Sequence, residues 1–245
     1  MTDRQKILLL TGASRGIGHA TGKRFADAGW RVITVSRQAF SPKCPWLGGP
    51  EDHVQLDIGD MAGIDRGIAE LRSRLPEGKL DALVNNAGIS PKGPGGARLG
   101  VLGSDFATWL RVFNVNIFSV ALLARGLSDV LTGGGAIVNV TSIAGSRVHP
   151  YAGSAYACSK AALAALTREM ANEFAPLGIR VNAISPGEID TAILSPGTRE
   201  FADREVPMRR LGSPGEVADA IFYLCSEQAS YVNGAELHIN GGQHV

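Results

Sequence analysis

The sequence predicts an α/β fold: one doubly wound parallel sheet of about seven strands with helices on both faces, forming a single domain over residues 1–245. Short apolar runs alternate with segments of helical periodicity along the whole chain, which is the pattern of successive β–α units. No linker, repeat or low-complexity segment divides them. The first apolar run leads through a glycine-rich turn into the first helical segment, as at the start of a nucleotide-binding sheet.

Each element can be placed from its own pattern. Four consecutive aliphatic residues, 7–10, predict a first strand buried on both faces, and the spacing of Ile17, Thr21 and Phe25 predicts a helix after it. Two segments without a regular pattern, 41–50 and the glycine- and proline-containing 90–103, predict loops. The further predicted strands are 31–36, 53–57, 80–84, 135–140, 179–184 and 235–239, and the further predicted helices are 104–131, 155–175 and 216–224.

Charge and cysteine content argue against several classes of protein. The chain has 24 lysines and arginines against 23 aspartates and glutamates, so it lacks the basic footprint of a protein that binds nucleic acid or an anionic membrane. Cys44, Cys158 and Cys225 have no metal-ligand spacing, and we expect no metal site. The charged N-terminus precedes only four strongly apolar residues, and no run reaches the roughly 20 of a membrane span. We therefore expect a cytoplasmic protein without a membrane or nucleic-acid partner.

The glycine-rich turn predicts a phosphate site. Gly12, Gly16 and Gly18 form a G-x-x-x-G-x-G pattern between a strand and a helix, where free backbone N–H groups and the helix dipole attract an anion. Such turns also occur for purely structural reasons, so the pattern alone is weak. In a parallel sheet, however, ligands bind outside the carboxyl ends of the strands. Polar or small residues stand at several of these ends: Ser36, Arg37, Asp57, residues 85–88, Ser142, Pro186 and Gly187.

Ser142, Tyr156 and Lys160 form the candidate chemical group. Tyr156 and Lys160 lie four residues apart on a predicted helix and so share a face. A tyrosine pKa near 10 is too high for acid–base work at neutral pH, but a nearby ammonium favours the phenolate and lowers it. A serine hydroxyl at a strand end can hold a substrate oxygen beside the phenol. Each feature has a structural alternative, because a Tyr–Lys pair is common on helix surfaces and a serine after a strand usually caps a turn. The position of these residues in a nucleotide-type sheet favours a catalytic role instead.

Nearly the whole chain resembles the short-chain dehydrogenase/reductase family, which has a Rossmann-like fold. The matching motifs are the coenzyme loop at 11–18, Asn-Asn-Ala-Gly at 85–88, Asn116, Ser142, Tyr156-x-x-x-Lys160, Pro186-Gly187 followed by Thr191, and a C-terminal pattern of Pro207, residues 210–212, Pro214, residues 216–218, Gly234 and residues 241–242. Thr141 and Ser142 are both candidates for the role of the catalytic serine, and the family pattern favours Ser142.

The resemblance implies hydride transfer between a nicotinamide cofactor and an alcohol/carbonyl pair. Tyr156 would be the general acid/base, Lys160 would lower its pKa and bind the nicotinamide ribose, Ser142 would orient the substrate oxygen, and Asn116 would support the proton relay. The cofactor-binding residues implied are Gly12, Ser14, Arg15, Gly16, Ile17, Gly18, Ser36, Arg37, Asp57, Ile58, Asn86, Ala87, Gly88, Tyr156, Lys160, Pro186, Gly187, Ile189 and Thr191.

The end of the second strand favours NADP(H) over NAD(H). NAD-selective sites place an acidic residue there to bind the ribose 2′-hydroxyl, whereas this chain has Ser36 followed by Arg37. A hydroxyl and a guanidinium can both bind a 2′-phosphate, and Arg15 in the glycine loop is placed to approach it as well. The alternative is that both arginines are solvated surface residues.

The substrate is less well specified, because a family fold does not name it. Candidate pocket residues are Ala144, His149 and Glu188, with a substrate loop at about 188–210. Within this loop we expect the stretch 192–206 to be mobile without substrate and to close over the site when substrate binds. Glu188 either meets a polar or cationic substrate or faces solvent. A sugar, polyol or small ketone is an alternative to the 3-oxoacyl chains of acyl-carrier-protein reductases, which tend to have a basic residue where this chain has Leu177.

Two expectations concern the whole protein. A catalytically silent NADP(H)-binding regulator on the same fold is the alternative to an enzyme, although the complete set of chemical residues favours the enzyme. Helices 104–131 and 155–175 carry more apolar residues than one face needs, which predicts a homotetramer or, failing that, a dimer. The apolar residues in excess of what one buried helix face needs include Phe118, Leu122, Leu123, Leu163, Leu166 and Phe174.

Overall fold

A computed structural model of the chain forms one parallel sheet in the order β3-β2-β1-β4-β5-β6-β7. The structure describes residues 4–40, 48–131, 133–191, 194 and 197–245. The strands are β1 Ile7–Thr11, β2 Arg31–Ser36, β3 His53–Gln55, β4 Ala82–Asn85, β5 Ala136–Val140, β6 Arg180–Pro186 and β7 Glu236–Ile239. The α-helices are α1 Gly16–Asp27, α2 Ile64–Ser73, α3 Phe106–Phe113, α4 Ser119–Leu127, α5 Ser154–Phe174, α6 Thr198–Glu205 and α7 Pro214–Cys225.

The sheet is covered on both faces, as the unbroken apolar strands require. Along β1, Ile7 and Leu9 pack into the cluster beneath α2, α4 and α5, while Leu8 and Leu10 pack into the cluster beneath α1 and α7. All four are at most 1% exposed. Strand side chains alternate between faces, so a strand between two helical layers must be apolar at every position.

The direction of the crossovers reverses between β1 and β4. From β1 the chain adds β2 and β3 on one side, and it then returns to place β4 against the other side of β1. The loops after β1 and β4 leave the sheet in opposite directions and open a crevice at their carboxyl ends. The glycine-rich turn and the Asn-Asn-Ala-Gly segment are therefore adjacent in space.

All seven predicted strands form, with ends that shift by at most two residues. The predicted helix at 104–131 is divided into α3 and α4 by a π-helical turn, Asn114–Phe118. The sequence analysis missed α2, and it treated the region of α6 as part of a mobile loop. Residues 192, 193, 195 and 196 of that loop and 41–47 of the earlier loop lie outside the described residues. The predicted loop 90–103 is irregular, with two short 3₁₀ turns.

One helical segment, Phe106–Leu127, is long and apolar enough to span a membrane by length and composition, with a mean hydropathy of 1.5. The segment is not a continuous apolar run, because four polar or charged residues interrupt it: Arg111, Asn114, Asn116 and Arg125. Leu123 and Leu127 are fully buried in the core beneath the sheet. The segment is therefore a core helix, although its outer face remains apolar.

Candidate active site

A cavity of about 930 Å³ opens at the carboxyl ends of the strands. Apart from Asn85, which ends β4 and bonds to Asn139 within the sheet, it is lined by every site residue that the sequence analysis named except Gly18 and Asn116. Those two lie behind its wall: Gly18 is buried under the glycine loop, and Asn116 is 0% exposed. The strand-end rule therefore brings together residues that are up to 179 positions apart in sequence, from Gly12 to Thr191.

The glycine positions of the turn expose backbone atoms, without side chains, to the cavity. Gly12 has a φ of +74°, and a Cβ on Gly18 would lie 2.2 Å from the Gly12 carbonyl oxygen, so neither position accepts a side chain. Asn86 fixes the turn because its Nδ2 donates to the carbonyl oxygens of Thr11 at 3.0 Å and Gly12 at 2.9 Å. The side chain of the N-cap residue Arg15 does not cap α1, and the first turn of this helix contains no acidic residue. The free N–H groups of this helix end are thus suited to an external anion.

Two arginines stand at the end of the cavity next to β2. Arg15 and Arg37 are both exposed, and no hydrogen bond or ion pair from their guanidinium groups to another described residue is present. Ser36 closes a local turn, with Oγ donating to the Gln38 carbonyl oxygen at 3.1 Å. Asp57 holds the next turn by accepting from the Gly59 N–H at 2.9 Å, and Ile58 beside it is 7% exposed. This end of the cavity carries positive charge and no carboxylate beside Ser36.

Ser142, Tyr156 and Lys160 meet in the middle of the cavity. A hydrogen bond joins Ser142 to Tyr156, and the Ala144 N–H donates to Ser142 Oγ at 3.2 Å. Thr141 does not compete with Ser142: its Oγ1 lies 2.8 Å from the Ile184 carbonyl oxygen and 2.6 Å from Glu236 Oε1. The Thr141 hydroxyl is thus engaged away from Tyr156, and the role of Ser142 stays a prediction.

Lys160 is buried behind the tyrosine ring. Its Nζ donates to the Val140 carbonyl oxygen at 2.6 Å and lies 5.7 Å from the centroid of the Tyr156 ring. Because a buried ammonium is poorly solvated, the pKa of Lys160 is lowered from 10.5 to about 8. The position of Lys160 on α5, one turn after Tyr156, is the one that the i,i+4 spacing predicts.

Burial is also the largest influence on Tyr156, and it raises the pKa of the phenol. The hydrogen bond to Ser142 acts in the opposite direction, and the negative charge of Glu188 raises the pKa further. The lowering by Lys160 that the sequence analysis describes stays a prediction.

Asn116 supports the site from within the π-helical turn. Its Nδ2 lies 3.1 Å from the Ile89 carbonyl oxygen and 2.9 Å from Ser159 Oγ, and its Oδ1 accepts from the Ile89 N–H at 2.9 Å. Ser159 Oγ in turn donates to the Tyr156 carbonyl oxygen at 2.7 Å. Asn116 therefore connects the loop after β4 to the helix that carries Tyr156. Extra residues in a helical turn are frequent at functional sites.

The segment after β6 closes the opposite wall. A Cβ on Gly16 would lie 3.2 Å from Thr191 Cγ2, so the glycine loop and this segment approach each other across the cavity. Ile189 is 5% exposed, and the Asp190 N–H donates to the Gly212 carbonyl oxygen at 2.8 Å. Pro186 and Gly187 complete this wall.

The remaining end of the cavity contains Ala144, His149 and Glu188. Glu188 is 8% exposed, so the alternative that it faces solvent is wrong. Its Oε1 is hydrogen-bonded to His149 Nε2 and accepts from Gln243 Nε2 at 3.3 Å. Ala144 is 5% exposed beside the serine. This end is therefore polar and includes a buried carboxylate.

Known proteins are similar to this chain over nearly its whole length. A family model described as enoyl-(acyl carrier protein) reductase matches residues 12–244. Protein FixR of Bradyrhizobium diazoefficiens is 59% identical over 242 residues, covering 98% of this chain and 87% of that protein. The chain belongs to the short-chain dehydrogenase/reductase family. The 3-oxoacyl-[acyl-carrier-protein] reductase FabG of Salmonella typhimurium is 34% identical over 253 residues, with all of both chains covered.

A solved structure of the same family has the same fold. It is an oxidoreductase from Brucella ovis in complex with a partially ordered NAD, with 57% identity and a TM-score of 0.85. The match covers 97% of this chain and 100% of the Brucella chain. Membership places the chain in a family of oxidoreductases that act on CH–OH and C=O groups.

Sequence reasoning missed several residues of this short-chain dehydrogenase/reductase cavity. Lys92, Arg111 and Tyr151 line it, and Gln243 bonds to Glu188 from the C-terminal segment. Lys92 and Tyr151 lie in irregular segments that carry no periodic signal, and Gln243 reaches the site only through the fold. Arg111 lies on α3, where its helical spacing gave no sign that it faces the cavity.

Proposed function

We propose that this protein is an NADP(H)-dependent oxidoreductase that transfers hydride between the nicotinamide and a carbonyl/alcohol substrate, with Tyr156 as general acid/base. The observation that carries the proposal is the meeting of Ser142, Tyr156 and Lys160 in one cavity with the glycine loop. Membership in a family of oxidoreductases supports the same reaction class.

The proton steps follow from the positions of these residues. In reduction, Ser142 holds the substrate oxygen by a hydrogen bond, and the Tyr156 hydroxyl gives its proton to that oxygen. In oxidation, the Tyr156 phenolate takes the proton of the substrate hydroxyl. The proton can be replaced through Lys160, because a pKa of about 8 allows its ammonium to release a proton near neutral pH. Asn116 positions the helix that carries both residues.

The cavity fits a dinucleotide. The bare backbone of the glycine loop and the uncapped start of α1 would bind the pyrophosphate, and Lys160 would bind the nicotinamide ribose. Asp57, Ile58 and Asn86 would border the adenosine, and Ile189 and Thr191 the carboxamide. The nicotinamide supplies or accepts the hydride when it is bound. We favour NADP(H) because β2 ends in Ser36 rather than in an acidic residue, with Arg37 next to it and Arg15 lining the same cavity, although the Brucella ovis structure holds NAD.

The polar end of the cavity favours a sugar, polyol or small ketone as the substrate. An acyl chain on a carrier protein is the second candidate, and the identity to the Salmonella reductase supports it. Against this candidate stands Leu177, which is 44% exposed at the position where those reductases tend to have a basic residue.

A panel assay tests the proposed function. Small ketones, sugars, polyols and a 3-oxoacyl thioester are each incubated with the purified protein and either NADPH or NADP⁺, and again with NADH or NAD⁺. We expect oxidation or reduction of at least one class, faster with the phosphorylated cofactor. If cofactor binding stabilises the protein in a thermal-shift assay but no substrate class is converted, the catalytically silent regulator is the better account.

A further inference from the structure

Glu188 is a buried carboxylate with one oxygen engaged and the other unpaired. His149 and Gln243 both bond to Oε1, and the Gly212 N–H fixes the Glu188 backbone by donating to its carbonyl oxygen at 2.8 Å. Across the described part of the chain, no donor is within hydrogen-bond distance of Oε2. Glu188 lines the cavity, so this free oxygen has access to a bound molecule.

His149 donates to the carboxylate of Glu188 from its Nε2 atom. The Tyr151 N–H donates to His149 Nδ1 at 3.3 Å, which leaves Nε2 as the donor to Glu188. The His149 ring is held by the rings of Tyr151 and Phe201, with centroids 5.9 Å and 5.6 Å away.

Among the described residues, no side chain donates a hydrogen bond to Glu188 Oε2. Lys92 is the cation whose charge interacts with it, but the Lys92 ammonium donates to the Tyr151 carbonyl oxygen. Oε2 is therefore the acceptor that Glu188 leaves open toward the cavity, and an apolar residue at this position would offer no acceptor there. Glu188 lines the same cavity as Ser142 and Tyr156, so a molecule bound at those two residues can also reach the Glu188 carboxylate.

We propose that Glu188 Oε2 accepts a hydrogen bond from a hydroxyl or ammonium group close to the reacting carbon of the substrate. The site then takes vicinal diols, amino alcohols and their carbonyl counterparts in preference to plain alkyl alcohols. This inference rests on the proposed function, because Ser142 and Tyr156 are taken to hold the reacting oxygen of the same molecule.

Glu188→Gln tests this by changing one atom. His149 and Gln243 both donate to the Oε1 position, so the amide oxygen of the variant stays there and its NH₂ group takes the place of Oε2. The variant keeps the shape of the pocket but presents a donor where the native protein presents an acceptor. Glu173→Gln on α5, an exposed position away from the cavity, is the matched control.

Binding is measured without turnover, in a Tyr156→Phe background saturated with NADP⁺. The probes are 2-butanol, 2,3-butanediol and 3-amino-2-butanol, and calorimetry gives their dissociation constants. A hydrogen bond to a charged group predicts that the diol or the amino alcohol binds about 10- to 100-fold more tightly than 2-butanol. Tighter binding of the diol points to polyols and tighter binding of the amino compound to amino alcohols. We expect Glu188→Gln to abolish this ratio and Glu173→Gln to preserve it.

Equal or undetectable binding of the three probes would overturn the inference, as would a ratio that survives Glu188→Gln. Failure of the proposed function gives a different result. In that case the protein with native Tyr156 binds the diol or the amino alcohol more tightly than 2-butanol, and Glu188→Gln abolishes this difference. The same protein nevertheless oxidises none of the probes with NADP⁺ or with NAD⁺.

Discussion

Arg37 is the residue on which the choice of cofactor depends most. Its guanidinium is exposed at the cavity, beside Ser36 and near Arg15. We expect Arg37→Ala to weaken NADPH binding by about 10- to 100-fold, since hydrogen bonds to charged groups contribute about 1.5–3 kcal/mol. NADH has no 2′-phosphate, and its affinity should barely change. The check is to measure the dissociation constants of both cofactors for the native protein, for Arg37→Ala and for the control Arg66→Ala on α2. If Arg37→Ala loses equal affinity for the two cofactors, or if the native protein prefers NADH, NADP(H) selectivity is refuted.

Glu188 should also shift the pH dependence of catalysis. Its negative charge raises the pKa of Tyr156, because it disfavours the phenolate. Alcohol oxidation needs the phenolate, so the rate rises with pH through that pKa. Glu188→Gln removes the charge and lowers the pKa, and the midpoint of the rise should move to lower pH. The measurement is kcat against pH for both proteins; an unchanged or higher midpoint contradicts the assignment.

At this scale the sequence predicts residues that belong to a motif and misses those positioned by loops. Tyr156 and Lys160 follow from a helical spacing, and Ser142 from a strand end. The pairing of Glu188 with Gln243 spans 55 positions and depends on how the C-terminal segment folds over β6. No local pattern encodes such a contact.

The start of α7 shows how one element is fixed by its own sequence. Ser213 Oγ accepts from the Glu216 N–H at 3.2 Å, and Glu216 Oε2 accepts from the Ser213 N–H at 2.7 Å, which forms a capping box. We expect Ser213→Ala to lower the free energy of unfolding by about 1 kcal/mol. Urea denaturation measures the change, with Ser230→Ala as an exposed control. A loss no larger than that of the control would mean that the cap contributes nothing.

The elements differ in how far their sequences specify them. The strands are centred on short runs rich in Val, Ile and Leu, and helix α5 is a long helical segment of 21 residues, so both are predictable. Helix α2 buries Ile64, Ile68 and Leu71 at helical spacing, so its sequence does specify it although it was not predicted. Helix α6 buries only Thr198 and Ala202, so its apolar signal is weak. The π-helical turn at Asn114–Phe118 requires Asn116 to bond to Ile89, a contact between segments that periodicity does not report.

For the whole molecule we propose a homotetramer, or failing that a dimer. The outer face of α3 and the following turn exposes Phe106 at 78%, Leu110 at 44% and Phe118 at 43%. Leu123, Leu163 and Phe174, which the sequence analysis counted as surplus, are instead buried in the core of the chain itself. The surplus is thus smaller than predicted and lies toward α3, but contiguous exposed apolar surface still favours a subunit contact.

Light scattering at micromolar concentration gives the oligomeric state, and a monomer contradicts the proposal. Phe118→Asp should dissociate the assembly if this face forms the contact, because it buries a charge in an apolar interface. Leu102→Asp, at a side chain that is fully exposed, is the control and should leave the mass unchanged.

The central claim is that Tyr156 exchanges the proton that accompanies hydride transfer, and Tyr156→Phe tests it most directly. The change removes one hydroxyl and little binding surface. We expect kcat to fall by about 10²–10⁴-fold, the usual contribution of positioned proton transfer, while cofactor affinity stays nearly unchanged. Tyr231→Phe, at a fully exposed tyrosine, should retain native activity. If Tyr156→Phe kept more than roughly a hundredth of the native kcat, the assignment of Tyr156 as general acid/base would be wrong.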